Sequence, residues 1–236
     1  MIIDSINVPV IESWRKAMDM KSIGFTLIEF DSVNSRYCRT LPVNKNIFSI
    51  GFEAHPYVDD VVRYCGFLAA IELSAVDIIL RPLIIKYIDS QLDNSRPGAT
   101  LTYEPNMPGH SSIWKNLHPY YEDNFYKNET LVTIFAEEVS RQVGLYLEPF
   151  WSQYADIQYI NDEIINKIPH IELHQYLGGM TPEKKLIIMK LCSNPNFDVY
   201  KNWLLKVTEI VFSENPDFWA NSRALRLELS DILDKV

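Results

Sequence analysis

Two short stretches carry the residue types that chemistry would need. The first is His170-Ile171-Glu172-Leu173-His174. Histidines four positions apart share one face of a helix and could hold one metal ion. A zincin helix puts its glutamate directly after the first histidine, and the inverted motif puts it directly before the second. Ile171 and Leu173 stand at those positions, and no spacing identifies a third ligand. Structural histidines near a helix end are the preferred reading, and a metal-assisted hydrolase using His170 and His174 is the enzymatic alternative. The second stretch, Gly109-His110-Ser111-Ser112, gathers an imidazole and two hydroxyls. It lacks the glycines that flank the serine of a nucleophile elbow, so a polar turn leading into a strand is expected. No phosphate loop, dinucleotide fingerprint or zinc knuckle occurs, and the 8 glycines do not cluster where a backbone would have to approach a phosphate. No cofactor is expected.

Acids recur in adjacent pairs: Asp59-Asp60, Glu122-Asp123, Glu137-Glu138 and Asp162-Glu163. Neighbouring residues point in different directions, which disfavours two carboxylates sharing one proton. Two pairs lie beside tyrosines, Tyr57 next to Asp59 and Asp60, and Tyr120 and Tyr121 next to Glu122 and Asp123. Tyrosine contributes contact area at small entropic cost, and acids steer a basic partner, so these seven residues form the expected partner-binding surface.

The bulk properties agree with recognition rather than catalysis. The chain has 236 residues, 47% hydrophobic and 22% charged, which suits a folded domain with a sizeable core. Its net charge of −9 is uneven. Residues 1–118 hold 11 basic against 13 acidic side chains, a net of −2, and residues 119–236 hold 11 against 18, a net of −7. An acidic surface repels phosphate backbones, so nucleic acid is not an expected partner, whereas a basic protein is. No stretch is apolar enough to span a bilayer and the N-terminus lacks the features of a signal peptide, so no membrane partner and a cytoplasmic location are expected. Cys38, Cys65 and Cys192 are scattered and read as reduced thiols. Asn128-Glu129-Thr130 matches a glycosylation sequon, read as chance.

The positioning elements change in texture near mid-chain. The expected fold is α+β: an antiparallel or mixed sheet with helices on one face over residues 1–126, then an all-helical subdomain over 127–236, packed as one continuous unit. A helix is expected over Pro9 to Met20, a strand over Phe25 to Phe30, and a hairpin of Arg36 to Val43 with Ile47 to Ala54 around Asn44-Lys45-Asn46. Phe48, Ile50, Phe52 and Ala54 share one face of the second arm. The apolar run Arg63 to Leu73 reads as a central strand, with a buried helix as the other possibility. Ser74 is placed to cap the next helix, which Pro82 should kink or end. Asn94 to Gly98 is a turn cluster, and Ala99 to Glu104 and Ser112 to Leu117 offer two further strands around a loop from Pro105 to His110.

Beyond Glu129 the pattern is helical. Leu131, Phe135, Val139 and Val143 line one stripe, Gly144 suits a C-cap, and Leu145 to Trp151 reads as a connector. Gln153 to Lys167 and His170 to Leu177 follow as helices, the second closed by Gly178-Gly179. Thr181-Pro182-Glu183 and Asn215-Pro216-Asp217 each supply a cap, a proline at the first helical position and an acid in the first turn. Between them Asp198 to Ser213 forms a helix with Val199, Trp203, Val207, Ile210 and Val211 on one face, and the last helix carries Phe218, Leu225, Leu229 and Ile232. The two starts lie 34 residues apart, but no third copy exists to complete a solenoid.

The order of elements resembles a family of small bacterial immunity-type domains of unknown function. The resemblance rests on Ile23-Gly24-Phe25 opening a strand after a first helix, the hairpin and apolar strand that follow, and Gly144-Leu145 running into aromatic sequence. It spans roughly residues 10–165 and implies a non-enzymatic cytoplasmic binding protein that neutralises a basic protein toxin. A structural subunit of a larger assembly is the third alternative.

Overall fold

A computed structural model of the chain describes residues 20–30, 34–56, 62–89, 99–105, 107–120 and 128–236. The expected first helix lies outside these except for Met20, which opens a 3-10 turn over Met20–Ile23. The turn cluster Asn94 to Gly98 also lies outside. The fold is α+β, with an antiparallel five-stranded sheet in the N-terminal half and a mostly helical remainder. The strands are β1 Thr26–Phe30, β2 Asn34–Thr40, β3 Ile47–Pro56, β4 Val62–Glu72 and β5 Leu101–Thr102, neighbours in that order. β1 pairs with β2 and β2 with β3 in antiparallel register, Tyr37 facing both Leu27 and Ile50. The β1 register slips between Leu27 and Glu29, so Ile28 is the extra residue of a bulge.

The helices are α1 Ser74–Tyr87, α2 His110–Leu117, α3 Glu129–Gln142, α4 Glu148–Tyr154, α5 Ile157–Tyr159, α6 His174–Leu177, α7 Thr181–Leu191, α8 Phe197–Glu214 and α9 Pro216–Leu233. Two π-helical stretches, Val143–Leu147 and Ile160–Ile165, join α3 to α4 and extend α5. The chain divides into two compact units. One comprises Met1–Leu41, Ile47–Ala70 and Tyr103–Ser152, the other Pro42–Asn46, Ile71–Thr102 and Gln153–Val236.

The hairpin and the central strand form as their alternation and apolar run predict. Phe48, Ile50 and Phe52 are buried along β3. In the first unit the core is aromatic. The Trp151 indole is wholly buried and stacks on Phe48 at 5.2 Å with 6° between the planes, and it meets Phe25 at 5.3 Å. Its Nε1 donates to the Ala70 carbonyl at 3.2 Å. The Arg39 guanidinium lies over the Phe25, Phe48 and Trp151 rings and pairs with Glu148 at 2.7 Å. Delocalised charge suits an aromatic surround, so a cation closes this core without being stranded.

Several local expectations are corrected. Ser112 to Leu117 lies in helix α2, not a strand, because Ile113 and Leu117 are the buried pair at helical spacing while Trp114 is 40% exposed. Gly109 precedes it at φ +85° and packs so closely on the Tyr146 ring that a Cβ would overlap it. Gly144 is not a C-cap and Leu145 to Trp151 is not a connector. Val143, buried with Val132, Phe135 and Val139, continues the apolar stripe of α3 into a π turn that carries the helix onward to Tyr154. The helix expected from Gln153 starts instead at Ile157, where the Asp156 side chain accepts from the Gln158 amide. Ala99 to Glu104 yields only the two-residue β5. Asn128, the asparagine of the sequon, accepts from the Leu131 amide as the N-cap of α3.

The second unit is built on helix packing. α1 packs on α7 and α9, and α8 on α7 and α9. α1 runs through Pro82 to Tyr87, with Pro82 exposed. Ser74 does not cap it. The buried Asn46 side chain serves instead, accepting from the Ser74 amide at 3.1 Å and donating to the Ala155 carbonyl at 3.0 Å. Asn215 caps α9 as its motif predicts, accepting from the Phe218 amide. At α7 the cap position falls on Met180 at φ +59°, one residue before Thr181.

Candidate partner-binding surface

Six of the seven expected contact residues, Tyr57, Asp59, Asp60, Tyr121, Glu122 and Asp123, lie outside the described residues. Tyr120 is described. It ends the 3-10 turn His118–Tyr120 half-buried, its ring edge-on to Phe135 at 5.4 Å. That contact ties Tyr120 to the core of its unit.

His170 and His174 do not sit on one α-helix. His170 opens a 3-10 turn ending at Glu172, and His174 begins α6 after Leu173. The His170 ring meets Trp203 edge-on at 5.0 Å and Tyr200 at 5.9 Å. Burial and the nearby Lys185 cation lower its pKa from the usual histidine value. His174 places Nδ1 2.7 Å from its own turn's Ile171 carbonyl. Among the described residues no group of three His, Cys, Asp or Glu stands close enough to hold a metal ion. His110, the imidazole of the hydroxyl-rich stretch, lies between the Phe67 and Tyr103 rings at 5.6 and 5.5 Å, and its pKa is lowered by burial against a smaller opposing pull from Glu104.

Among the described residues the buried charged groups, Glu72, Arg81, Glu183 and Lys184, belong to the second unit. Glu183 is 2% exposed and pairs with Arg226 at 2.6 Å, whose Nη1 donates to Thr208 at 3.1 Å. Arg81 pairs with Glu72 at 2.9 Å and Asp77 at 2.5 Å. Lys184 donates to the Ala99 carbonyl at 2.5 Å and the Leu177 carbonyl at 2.6 Å. Burial pushes its pKa down to about 8 against the pull of Asp77 and Glu183. Three acids thus pair with two arginines, the pattern of structural ion pairs, while Lys184 is held by carbonyls.

Lys184 makes the stability of this unit pH-dependent. Its folded pKa lies below the 10.5 of the unfolded chain, so between about 8 and 10.5 the unfolded state binds more protons. Stability contributed by this residue therefore rises with pH across that window, by about 3 kcal/mol in all. A neutral amine still offers two N–H groups to two carbonyls. Urea denaturation at pH 7 to 10 should show wild type gaining on Lys184→Met as pH rises, and parallel curves would refute the assignment.

The outward surface of α8 departs most from expectation. The face with Val199, Trp203 and Ile210 is not the buried one. These residues are 70%, 43% and 49% exposed, and Phe218 at the start of α9 is 70% exposed. Phe197, Leu204 and Thr208 are buried instead. The buried side carries Thr208, whose hydroxyl donates to the Leu204 carbonyl, and Lys201, paired with Asp234 at 2.5 Å, so it looks polar in sequence. The exposed apolar side was readable in the spacing, though not as a surface.

The architecture therefore belongs to the α+β class, and no family model, curated protein or solved structure matches this chain. No helix among the described residues is long and apolar enough to cross a membrane.

Proposed function

We propose that this is a non-enzymatic binding protein that acts in the cytoplasm by occupying a basic protein partner, as an immunity protein blocks a toxin. The observation that carries this reading is the row of large apolar side chains left exposed on α8 and the start of α9, in a chain of net charge −9. Exposed apolar side chains at helical spacing suit recognition, and the negative field speeds encounter with a cationic protein. The resemblance in element order to immunity-type domains points the same way. The ion pairs also support binding over catalysis, since each buried acid among the described residues has a basic partner.

The test is quantitative affinity purification from the native cell. A stoichiometric basic protein is expected, toxic when expressed alone and harmless when co-expressed with this chain. Recovery of no stoichiometric protein would overturn the reading.

A further inference from the structure

On α8 the residues Val199, Trp203, Lys206, Ile210 and Glu214 succeed one another at intervals of three and four, all exposed. At 1.5 Å per residue the apolar part extends roughly 16 Å, about the footprint of three turns of a docked helix. Acids stand at both ends. Asp198 flanks the beginning, its side chain 80% exposed and 3.8 Å from the Lys201 ammonium, which Asp234 also holds at 2.5 Å, and Glu214 and Asp217 flank the other end beside Phe218. Lys206 lies at mid-face, while Glu209, to one side, is paired with Arg223 at 2.8 Å.

This order of charge selects the occupant. In a two-fold dimer of this face, antiparallel helices would set Asp198 against Glu214 and Asp217 of the other copy and Lys206 against Lys206. A parallel pairing would also set like against like. Like charges across an interface oppose association, so a second copy is a poor occupant. An anionic lipid surface would meet the same acids.

We infer that the exposed face of α8, with Phe218, docks an amphipathic segment of a heterologous protein that presents apolar residues at helical spacing between two basic ends. The inference rests on the binding-protein reading and names its surface and the chemistry of its partner. Trp203 is the anchor, a large side chain braced edge-on by His170 and stacked beside Tyr200 at 5.4 Å. The acids set the polarity and Lys206 accepts one acid of the partner.

The probe is a labelled synthetic helix of about 18 residues, with leucines at i, i+3, i+4 and i+7, lysines at both ends and one central glutamate. Its binding is followed by fluorescence anisotropy. Controls are the same peptide with glutamates at its ends and a charge-matched peptide with the leucines dispersed. Binding is expected for the first alone. It should weaken at least about tenfold in the Trp203→Glu, Ile210→Glu double variant, and also in Val199→Glu, whose side chain is 70% exposed and whose melting should stay near wild type. Reversing Asp198, Glu214 and Asp217 to lysine should shift preference to the acid-ended peptide. Equal binding of all three peptides, unchanged binding by the double variant, or no binding would overturn the inference. So would a dimer in sedimentation that Trp203→Glu dissolves, or binding to vesicles containing phosphatidylserine. If native purification recovers a partner and the double variant keeps it, the surface assignment falls alone. If purification recovers none while the peptides behave as expected, the binding-protein reading falls and the surface chemistry stands.

Discussion

Trp151→Ala is expected to destabilise the protein by about 3–5 kcal/mol, the range for emptying a large aromatic site in a core. Three losses combine. The cavity left against Phe25 and Phe48 cannot be filled by rings held in β-strand flanks. The Ala70 carbonyl loses its indole donor. The Arg39 guanidinium loses one of its three aromatic faces. Trp151→Phe should recover most of the area while leaving that carbonyl without its indole donor, so its cost should fall to about 1–3 kcal/mol. Urea midpoints of the three proteins measure this. A cost below about 1 kcal/mol for the alanine variant would show that the aromatic cluster is not the organising core of its unit.

The second large effect is expected at Arg226. Arg226→Met should cost about 3–5 kcal/mol, because the Glu183 carboxylate, 2% exposed, loses its compensating charge. The penalty belongs to the unpaired ion and not to the pair, so removing both charges should restore part of the loss. In a double-mutant cycle, Glu183→Leu with Arg226→Met should therefore be more stable than Arg226→Met alone. A double variant as unstable as the sum of its parts would mean that the two side chains act independently. The Thr208 hydroxyl keeps its bond to the Leu204 carbonyl in every variant, which limits secondary disruption in α8.

These two sites also show what the sequence could and could not reveal. The hairpin strands were readable because a period of two, as in Phe48, Ile50 and Phe52, has few rivals, whereas Ser112 to Leu117, expected as a strand, is helical. Helix starts such as Asn215-Pro216-Asp217 were readable because capping is local chemistry. Helix ends were readable only in part, Gly178 at φ +62° closing α6 as its glycine pair predicts. Gly144 has the usual signature of a C-cap, yet packing of Val143 and Leu147 carries the helix through it in a π turn. The cap of α1 was equally hidden, since its acceptor, Asn46, lies 28 residues away in a hairpin turn. The candidate surface misled in a more instructive way. Periodicity identified the apolar stripe of α8 correctly, but apolar is not the same as buried. Thr208 sits inward because its hydroxyl donates to the Leu204 carbonyl and accepts from Arg226, and single-sequence patterning cannot see that second partner.

The seating of α1 against α9 has a consequence for biosynthesis. The ribosome releases Tyr87 well before Pro216. At 5–20 residues per second the gap of about 130 residues lasts roughly 6–26 s. Throughout that interval α1, which buries Val76, Leu80 and Leu83 in the finished protein, has emerged without α9, one of the helices it packs against. The nascent chain should therefore be a client of holding chaperones late in translation, and slowing codons placed between residues 100 and 215 should lower the yield of soluble protein.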